Sequence, residues 1–315
     1  MNKCDISVVV PVYNEVGNLA LLSQKIKEAL LELGRGFEII FVNDGSTDGS
    51  SRLLEEIRDS QQNIIIIDLF RSNGKAAALE QGFKIIKGEY VVIIDSDLQY
   101  DPGDIPALIH EMEKGADVVS AKRIQRSDSG STIRFSGIFN KLLRFICRLP
   151  IEDYFSGLKC FRKDVLDYVS LDGNLIRFIS VFAYHEGFKV VEVPLKHYER
   201  IHGSSRNSFG GRILLALLDL LVVLTMFTLN KHRMYFFGLG GYLLLGLGTI
   251  LLFICFMLVE PGKAAFNNPI GIIGIVMSFI SIQILILKKL WDEYFTRYQE
   301  GYSKRMRNVK SISKS

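Results

Sequence analysis

Apolar and polar positions along the first third of the chain follow two periods in turn. Residues 6–12 (Ile-Ser-Val-Val-Val-Pro-Val) form a β-rich run that ends at Tyr13-Asn14-Glu15. Leu19, Leu22, Ile26, Leu30 and Leu33 then recur at helical spacing, and Gly34 and Gly36 stop the helix. Residues 37–42 predict a second strand. It runs into Asn43-Asp44-Gly45-Ser46-Thr47-Asp48-Gly49, a loop of turn formers that can also cap the next helix. Residues 63–69 predict a third strand, followed by Ser72-Asn73-Gly74-Lys75 and an alanine-rich helix reaching Ile86. Tyr90-Val91-Val92-Ile93-Ile94 is a continuous apolar run, the pattern of a strand buried on both faces. This alternation of strands and helices predicts an α/β domain: a mostly parallel sheet with helices on both faces and its polar loops gathered at the strands' carboxyl ends.

The pattern changes further on. Residues 105–112 predict a helix, 117–121 a short strand, 173–187 a helical segment, and 189–193 a strand ended by Pro194. Between them, Lys122, Arg123, Arg126, Arg134, Lys141, Arg144 and Arg148 interleave with Phe135, Ile138, Phe139, Leu142, Leu143, Phe145 and Ile146. That spacing predicts an amphipathic helix over 132–148, readable as a solvated charged face or as a surface for anionic lipid. Residues 234–259 and 264–287 carry no charge, and each exceeds the ~20 residues that span a bilayer. Only Glu260-Pro261-Gly262-Lys263 separates them, which predicts a transmembrane hairpin. A third apolar stretch, 213–229, is interrupted by Asp219.

Composition adds limits. A net charge of only +4 over 315 residues gives no general nucleic-acid surface. The four cysteines form no C-x-x-C pair, which argues against a zinc site or disulfide framework and fits a reducing compartment. No signal peptide and no internal repeat are recognisable. The chemistry concentrates after residues 90–94, where Asp95, Asp97 and Gln99 can converge at a strand's carboxyl end. Such hard oxygen donors suit Mg²⁺ or Mn²⁺; a plain turn using Asp-Ser-Asp fits the same stretch. Together with Glu15, Asp44 and Lys75 they make a crevice too acidic for a bare phosphate but suited to a divalent cation carrying a diphosphate. No G-x-G-x-x-G follows the first strand and no G-x-x-x-x-G-K-[ST] occurs, so dinucleotide and P-loop chemistry are not indicated. An aspartyl phosphatase would need its carboxylates after the first strand.

Three ordered motifs carry a resemblance. Val8-Val9-Val10-Pro11-Val12-Tyr13-Asn14-Glu15, Val42-Asn43-Asp44-Gly45-Ser46-Thr47-Asp48 and Asp95-Ser96-Asp97-Leu98-Gln99 resemble the signatures of family 2 glycosyltransferases, inverting enzymes of the Rossmann-like GT-A fold. The resemblance implies that Pro11, Tyr13, Glu15 and Asp44 hold the base and ribose of a UDP- or GDP-linked sugar. It implies that Asp95 bridges nucleotide and metal, and that Asp97 and Gln99 are metal ligands. Asp153-Tyr154-Phe155-Ser156-Gly157-Leu158 is similar to the Asp-x-x-Ser-Gly-Phe stretch of the polyprenyl-phosphate branch, where that Asp lies beside the reacting groups. Arg200-Ile201-His202-Gly203-Ser204-Ser205-Arg206 is similar to that branch's Arg-x-x-Gly-x-Ser-Lys loop, with Arg206 in place of Lys. Lys75 and the metal would stabilise charge on the leaving diphosphate. Arg123, Arg134, Arg200 and Arg206 are candidates for the acceptor phosphate, since arginine forks match phosphate geometry. Where many family members carry a Ser four residues past Arg134, this chain has Ile138, and Ser136 or Asn140 are the nearby substitutes.

The expectation is a cytoplasmic GT-A catalytic domain over 1–208, a juxtamembrane interfacial helix over 209–232, a two-helix hairpin over 233–289 and a basic tail over 290–315. Lys231, Arg233, Lys288 and Lys289 flank the hairpin, and basic flanks stay cytoplasmic. This predicts a multi-pass protein of the inner membrane. It would pass a hexose, glucose as the first guess, to polyprenyl (undecaprenyl) phosphate by a metal-dependent reaction; homo-oligomerisation is left open. A processive polysaccharide synthase fits less well, because the only tryptophan, Trp291, follows Lys-Lys-Leu and not a Q-x-x-R context. The remaining rival is a catalytically silent scaffold that keeps the nucleotide fold.

Overall fold

The computed structural model describes residues 4–124, 130–168, 173–200, 231–258 and 268–306. Two compact units result, Met1–Leu220 and Leu221–Ser315. The first is built on seven strands: β1 (Ile6–Val12), β2 (Phe37–Asn43), β3 (Ile64–Asp68), β4 (Tyr90–Ile93), β5 (Val118–Ile124), β6 (Lys159–Arg162) and β7 (Val190–Lys196). Their order is β3-β2-β1-β4-β6-β5-β7. All pairings are parallel except those of β6, which runs antiparallel to both β4 and β5.

Crossover helices α1 (Val16–Glu32), α2 (Ser50–Ser60), α3 (Lys75–Phe83) and α4 (Ile105–Glu113) cover the sheet. Every residue of β1 is buried, as a central parallel strand requires. Val8, Val10 and Val12 join Leu19, Leu22, Ile26 and Leu30 of α1 in one apolar core with Ile105, Leu108 and Ile109 of α4. Each such side chain removed from water contributes roughly 1.5–3 kcal/mol. Val9 points to the opposite face, toward Gly82 of α3.

Several boundaries differ from the sequence pattern. The alanine-rich helix ends at Phe83 rather than Ile86. The strand expected to stop at Pro194 continues to Lys196. β7 is an edge strand paired only with β5, so the missing N–H of Pro194 falls where no further strand needs it. The basic amphipathic segment is α5 (Gly130–Cys147). After a single-turn α6 (Val165–Tyr168), the segment 173–187 divides into a 3₁₀ turn, Gly173–Phe178, and α7 (Ile179–His185).

The second unit pairs α8 (Lys231–Leu258) with α9 (Pro269–Met306). Gly238–Leu258 and Pro269–Glu293 are each long and apolar enough to cross a membrane. The two helices meet closely where Gly248 faces Gly274: a Cβ on Gly248 would lie 2.6 Å from Ser278 Oγ and 3.0 Å from the Gly274 carbonyl oxygen. Small residues at such a crossing let backbones approach where no water drives association. The helical stretch runs well past 287, into the basic segment expected to be tail. The interfacial helix expected over 209–232 falls, up to residue 230, outside the described residues, as does the turn at 260–263.

Candidate active site

The loops at the heads of β1 and β2 are stitched to each other by their turn-forming side chains. Asn14 adopts φ 54°, a left-handed conformation that Asn tolerates. Its N–H donates to Ser46 Oγ (3.0 Å), and its Oδ1 accepts from the Thr47 N–H (2.8 Å). The first amides of α1 have no partner within their own helix. Ser50 Oγ accepts from the Glu15 N–H (3.1 Å) and Asp48 Oδ2 from the Val16 N–H (3.0 Å), so the second loop caps the first helix. Asp44, buried, accepts from the N–H groups of Asn73 (2.7 Å) and Gly74 (2.9 Å) and from Ser72 Oγ (2.7 Å). It thereby fixes the turn that leads into α3 and presents Lys75.

β4 delivers Asp95, Ser96 and Asp97 to the same end of the sheet. Leu98 takes φ 55°, unusual for a bulky residue, and this bend lets Asp97 Oδ1 accept the Gln99 N–H at 3.2 Å. Gly157 packs directly against the Asp95 carboxylate. A Cβ there would overlap Asp95 Oδ2 and lie 2.9 Å from Asp95 Cγ. Lys75 is ion-paired with Asp95. Arg200, in the segment following β7, places Nη2 2.7 Å from Asp97 Oδ2. Burial pushes the Asp97 carboxyl up from its ordinary range, the charge of Asp95 adds to this, and Arg200 opposes it. Glu15 is raised chiefly by burial, with its bond from Asn18 (2.5 Å) and the charge of Arg200 opposing.

These groups share one cleft of about 450 Å³, lined by Pro11, Val12, Tyr13, Asn14, Glu15, Asp44, Lys75, Asp95, Ser96, Asp97 and Arg200. The cleft brings together all six residues expected to meet a nucleotide, both aspartates that follow β4 and, of the two candidate arginines whose side chains are described, Arg200 but not Arg123. Gln99 lies outside the lining, and its carbonyl accepts the Tyr198 N–H at 2.9 Å. The donor set suits a divalent cation: two carboxylates one residue apart, whose remaining coordination diphosphate oxygens can fill. Among the described residues no group of three or more His, Cys, Asp or Glu forms a closed cage. A cation seated on the two carboxylates competes with Lys75 and Arg200.

A second cluster lies at the ends of β5 and β6. Arg123 Nε and Nη2 donate to the two oxygens of Asp153 at 2.6 and 2.7 Å, a planar fork between two largely buried side chains. Burial pushes the Asp153 carboxyl up, but the bonds and charge of Arg123 outweigh it and hold the group below its ordinary range. Two residues singled out separately in the sequence are thus partners. The side chain of Arg134 and the whole of Arg206 lie outside the described residues.

The profile of glycosyl transferase family 2 matches residues 7–169, a span that holds β1 to β6 and most of the cleft. The chain belongs to this family. Among its relatives, undecaprenyl-phosphate 4-deoxy-4-formamido-L-arabinose transferase from Klebsiella pneumoniae (strain 342) is 31% identical over 293 residues, 93% of this chain and 88% of that one. The enzyme of the same name from Aeromonas hydrophila is 30% identical over 305 residues, covering 94% and 91%. Glucosyl-3-phosphoglycerate synthase from Mycobacterium tuberculosis, in complex with phosphoglyceric acid, shares the fold at 18% identity. Its TM-score is 0.55, covering 71% of this chain and 79% of that one. The same synthase has been solved with Mn²⁺, uridine diphosphate and glucosyl-3-phosphoglycerate, with a TM-score of 0.54 and 18% identity.

The stitching of the first two loops escaped the sequence analysis, although the density of Asn, Ser and Asp in both was its visible signal. So did Gly157 as a steric requirement of Asp95. Its signal was the Ser-Gly pair ahead of a strand.

Proposed function

We propose that this family member transfers a sugar from a nucleoside diphosphate to undecaprenyl phosphate at the cytoplasmic face of the inner membrane. One observation carries the reading: a single cleft joins the nucleotide-side residues, the two carboxylates of β4 and a phosphate-matching arginine, Arg200. The relatives named above act on undecaprenyl phosphate, and the two bilayer-length apolar helices fit a lipid acceptor. α5 adds an amphipathic surface, since Phe145 is 83% exposed and Leu142 41% exposed among Lys141, Arg144 and Arg148.

Pro11, Tyr13, Glu15 and Asp44 would hold base and ribose. Asp95 and Asp97, with Gln99 if it turns inward, would hold Mg²⁺ or Mn²⁺. The ion would supply positive charge to the departing diphosphate. Lys75 reinforces that charge from the start of α3. Arg123, Arg134, Arg200 and Arg206 would hold the acceptor phosphate. A phosphate monoester is mostly ionised at pH 7, its second pKa lying near ~6, so the attacking oxygen needs little help from a base. Asp153, bound to Arg123 and held acidic, fits an orienting role better than proton removal. In-line attack on the anomeric carbon inverts it. For the sugar, the relatives favour a modified pentose as the first substrate to test, and the comparisons lend no support to the hexose expectation or to glucose.

The test is transfer of label from a panel of UDP- and GDP-linked sugars, UDP-4-deoxy-4-formamido-L-arabinose included, to undecaprenyl phosphate in membranes carrying the protein. A labelled lipid that needs Mg²⁺ or Mn²⁺ supports the proposal. Metal-dependent nucleotide binding with no transfer from any of them would point to the silent scaffold.

A further inference from the structure

The antiparallel insertion of β6 aligns three polar residues across three adjacent strands. Ser120 of β5 is registered with Lys159 of β6 on one side and with Glu192 of β7 on the other. Residues directly across from each other project from the same face of a sheet. Ser120 is fully buried and Lys159 is 4% exposed, so a polar row crosses a face on which the next pair along the same two strands is the buried Val118 and Phe161. Buried polar groups persist when their bonds are satisfied. The bonds of this row run mostly to one short segment of main chain.

Glu192 Oε2 accepts the N–H of Glu152 at 2.9 Å, and its Oε1 accepts the N–H of Asp153 at 2.7 Å. Lys159 Nζ donates to the carbonyl of Tyr154 at 3.3 Å and to Ser120 Oγ at 3.2 Å. Three consecutive residues, Glu152, Asp153 and Tyr154, are therefore held through their main chain, the first two by an acceptor and the third by a donor. Burial lowers the Lys159 ammonium to about 8, with the negative charge of Asp153 opposing. The gripped segment carries the carboxylate that forks onto Arg123, whose own N–H reaches Asp153 Oδ2 at 3.3 Å. The chain of fixation runs from the sheet to main chain, then to Asp153, then to the guanidinium.

We propose that Glu192, Ser120 and Lys159 are positioning residues that set the orientation of Arg123 toward an anionic phosphate monoester, by clamping the main chain that carries Asp153. The inference rests on the reading of Arg123 as an acceptor-phosphate group. It assigns a function to a row of strand residues that lie outside the lining of the cleft.

The experiment uses the full chain in lipid nanodiscs, with Glu192→Gln and Lys159→Met. Glutamine keeps the size of Glu192 but turns one of its two acceptors into a donor facing an N–H. Each variant is expected to raise the KM for undecaprenyl phosphate about tenfold, leaving the KM for the nucleotide sugar and the binding of UDP with Mn²⁺ within twofold. Glu192→Asp, which retains both acceptor oxygens on a shorter arm, should recover part of the loss. In parallel, hydrogen exchange in peptides covering 150–158 should accelerate at least tenfold in Glu192→Gln, with β1 and β4 peptides unchanged. An acceptor KM within twofold of wild type, or equal rises in both KM values, overturns the proposal. Should the wild-type chain transfer nothing to undecaprenyl phosphate, it is the proposed function that fails. The clamp then stands or falls on exchange at 150–158 alone, unchanged exchange refuting it.

Discussion

Replacing Asp153 by Asn separates two roles for this residue that the sequence left together. The substitution keeps shape and removes charge, leaving the Arg123 guanidinium without its counter-ion. The side chains are 13% and 6% exposed and share two bonds of 2.6 and 2.7 Å, so solvent screening is weak. Removing one partner of a buried pair costs about 3–5 kcal/mol. At roughly 2–4 °C per kcal/mol for a unit of 150–250 residues, Tm should fall by about 6–20 °C. The pH dependence has a definite sign. The folded carboxyl is held below its ordinary range, so its contribution is fully present above the unfolded pKa of about 3.9 and is lost as pH falls through the folded value. The gap between wild type and variant should therefore hold from pH 5 to 8 and close below about pH 4. Thermal melts in detergent by circular dichroism would measure both. Pairing Asp153→Asn with Arg123→Met should restore part of the loss, since neither charge is then stranded. For transfer, the orienting role predicts a raised acceptor KM with kcat largely kept, whereas a general base would cost kcat about 10²–10⁴-fold. A Tm change under 2 °C, or a collapse of kcat at unchanged acceptor KM, would refute the reasoning.

Three further outcomes are expected. Gly157→Ala would drive a methyl group into the Asp95 carboxylate, and an overpacking cost of about 1–3 kcal/mol should weaken binding of UDP with Mn²⁺ by roughly ten- to a hundredfold in calorimetry. Chelation with EDTA should stop transfer and added Mn²⁺ or Mg²⁺ should restore it, while Asp97→Ala should stay inactive with either metal and still melt cooperatively. Phe145→Glu, at an exposed apolar position of α5, should slow transfer to undecaprenyl phosphate in vesicles several-fold and leave a short water-soluble polyprenyl phosphate unaffected.

The residues that announced themselves were those whose local pattern fixed their place. The apolar runs of β1 and β4 could only be central strands, and a carboxylate directly after such a strand must emerge at its carboxyl end. Asp95 and Asp97 were legible for that reason, and so was their meeting with Pro11, Tyr13, Glu15 and Asp44 in one cleft. What stayed hidden depends on register between distant strands. Arg123 and Asp153 are separated by 30 residues, and their fork exists because β6 returns antiparallel beside β5. Glu192 stood visibly between Val191 and Val193 and Lys159 before Cys160, but a single polar residue in a strand normally faces water. Only the pairing of both with Ser120 reveals a row. Gln99 is a different case: its spacing from Asp97 suggested convergence, and the left-handed Leu98 turns the chain between them so that Gln99 stands outside the cleft lining.

The reversed strand has a wider consequence. Because β6 runs against its neighbours, the chain enters it at the edge of the sheet where β4 and β5 leave. Everything between Ile124 and Lys159 is consequently an excursion that departs and returns at adjacent strands, which lie about 4.8 Å apart. Such an excursion can be lengthened or recoloured with different side chains along α5 without moving β1, β2 or β4, provided the return through Ser156 and Gly157 beside Tyr100 and Asp95 is kept. The basic amphipathic helix is thereby open to change largely apart from the strands that present Asp95 and Asp97, both for selection and for a designer.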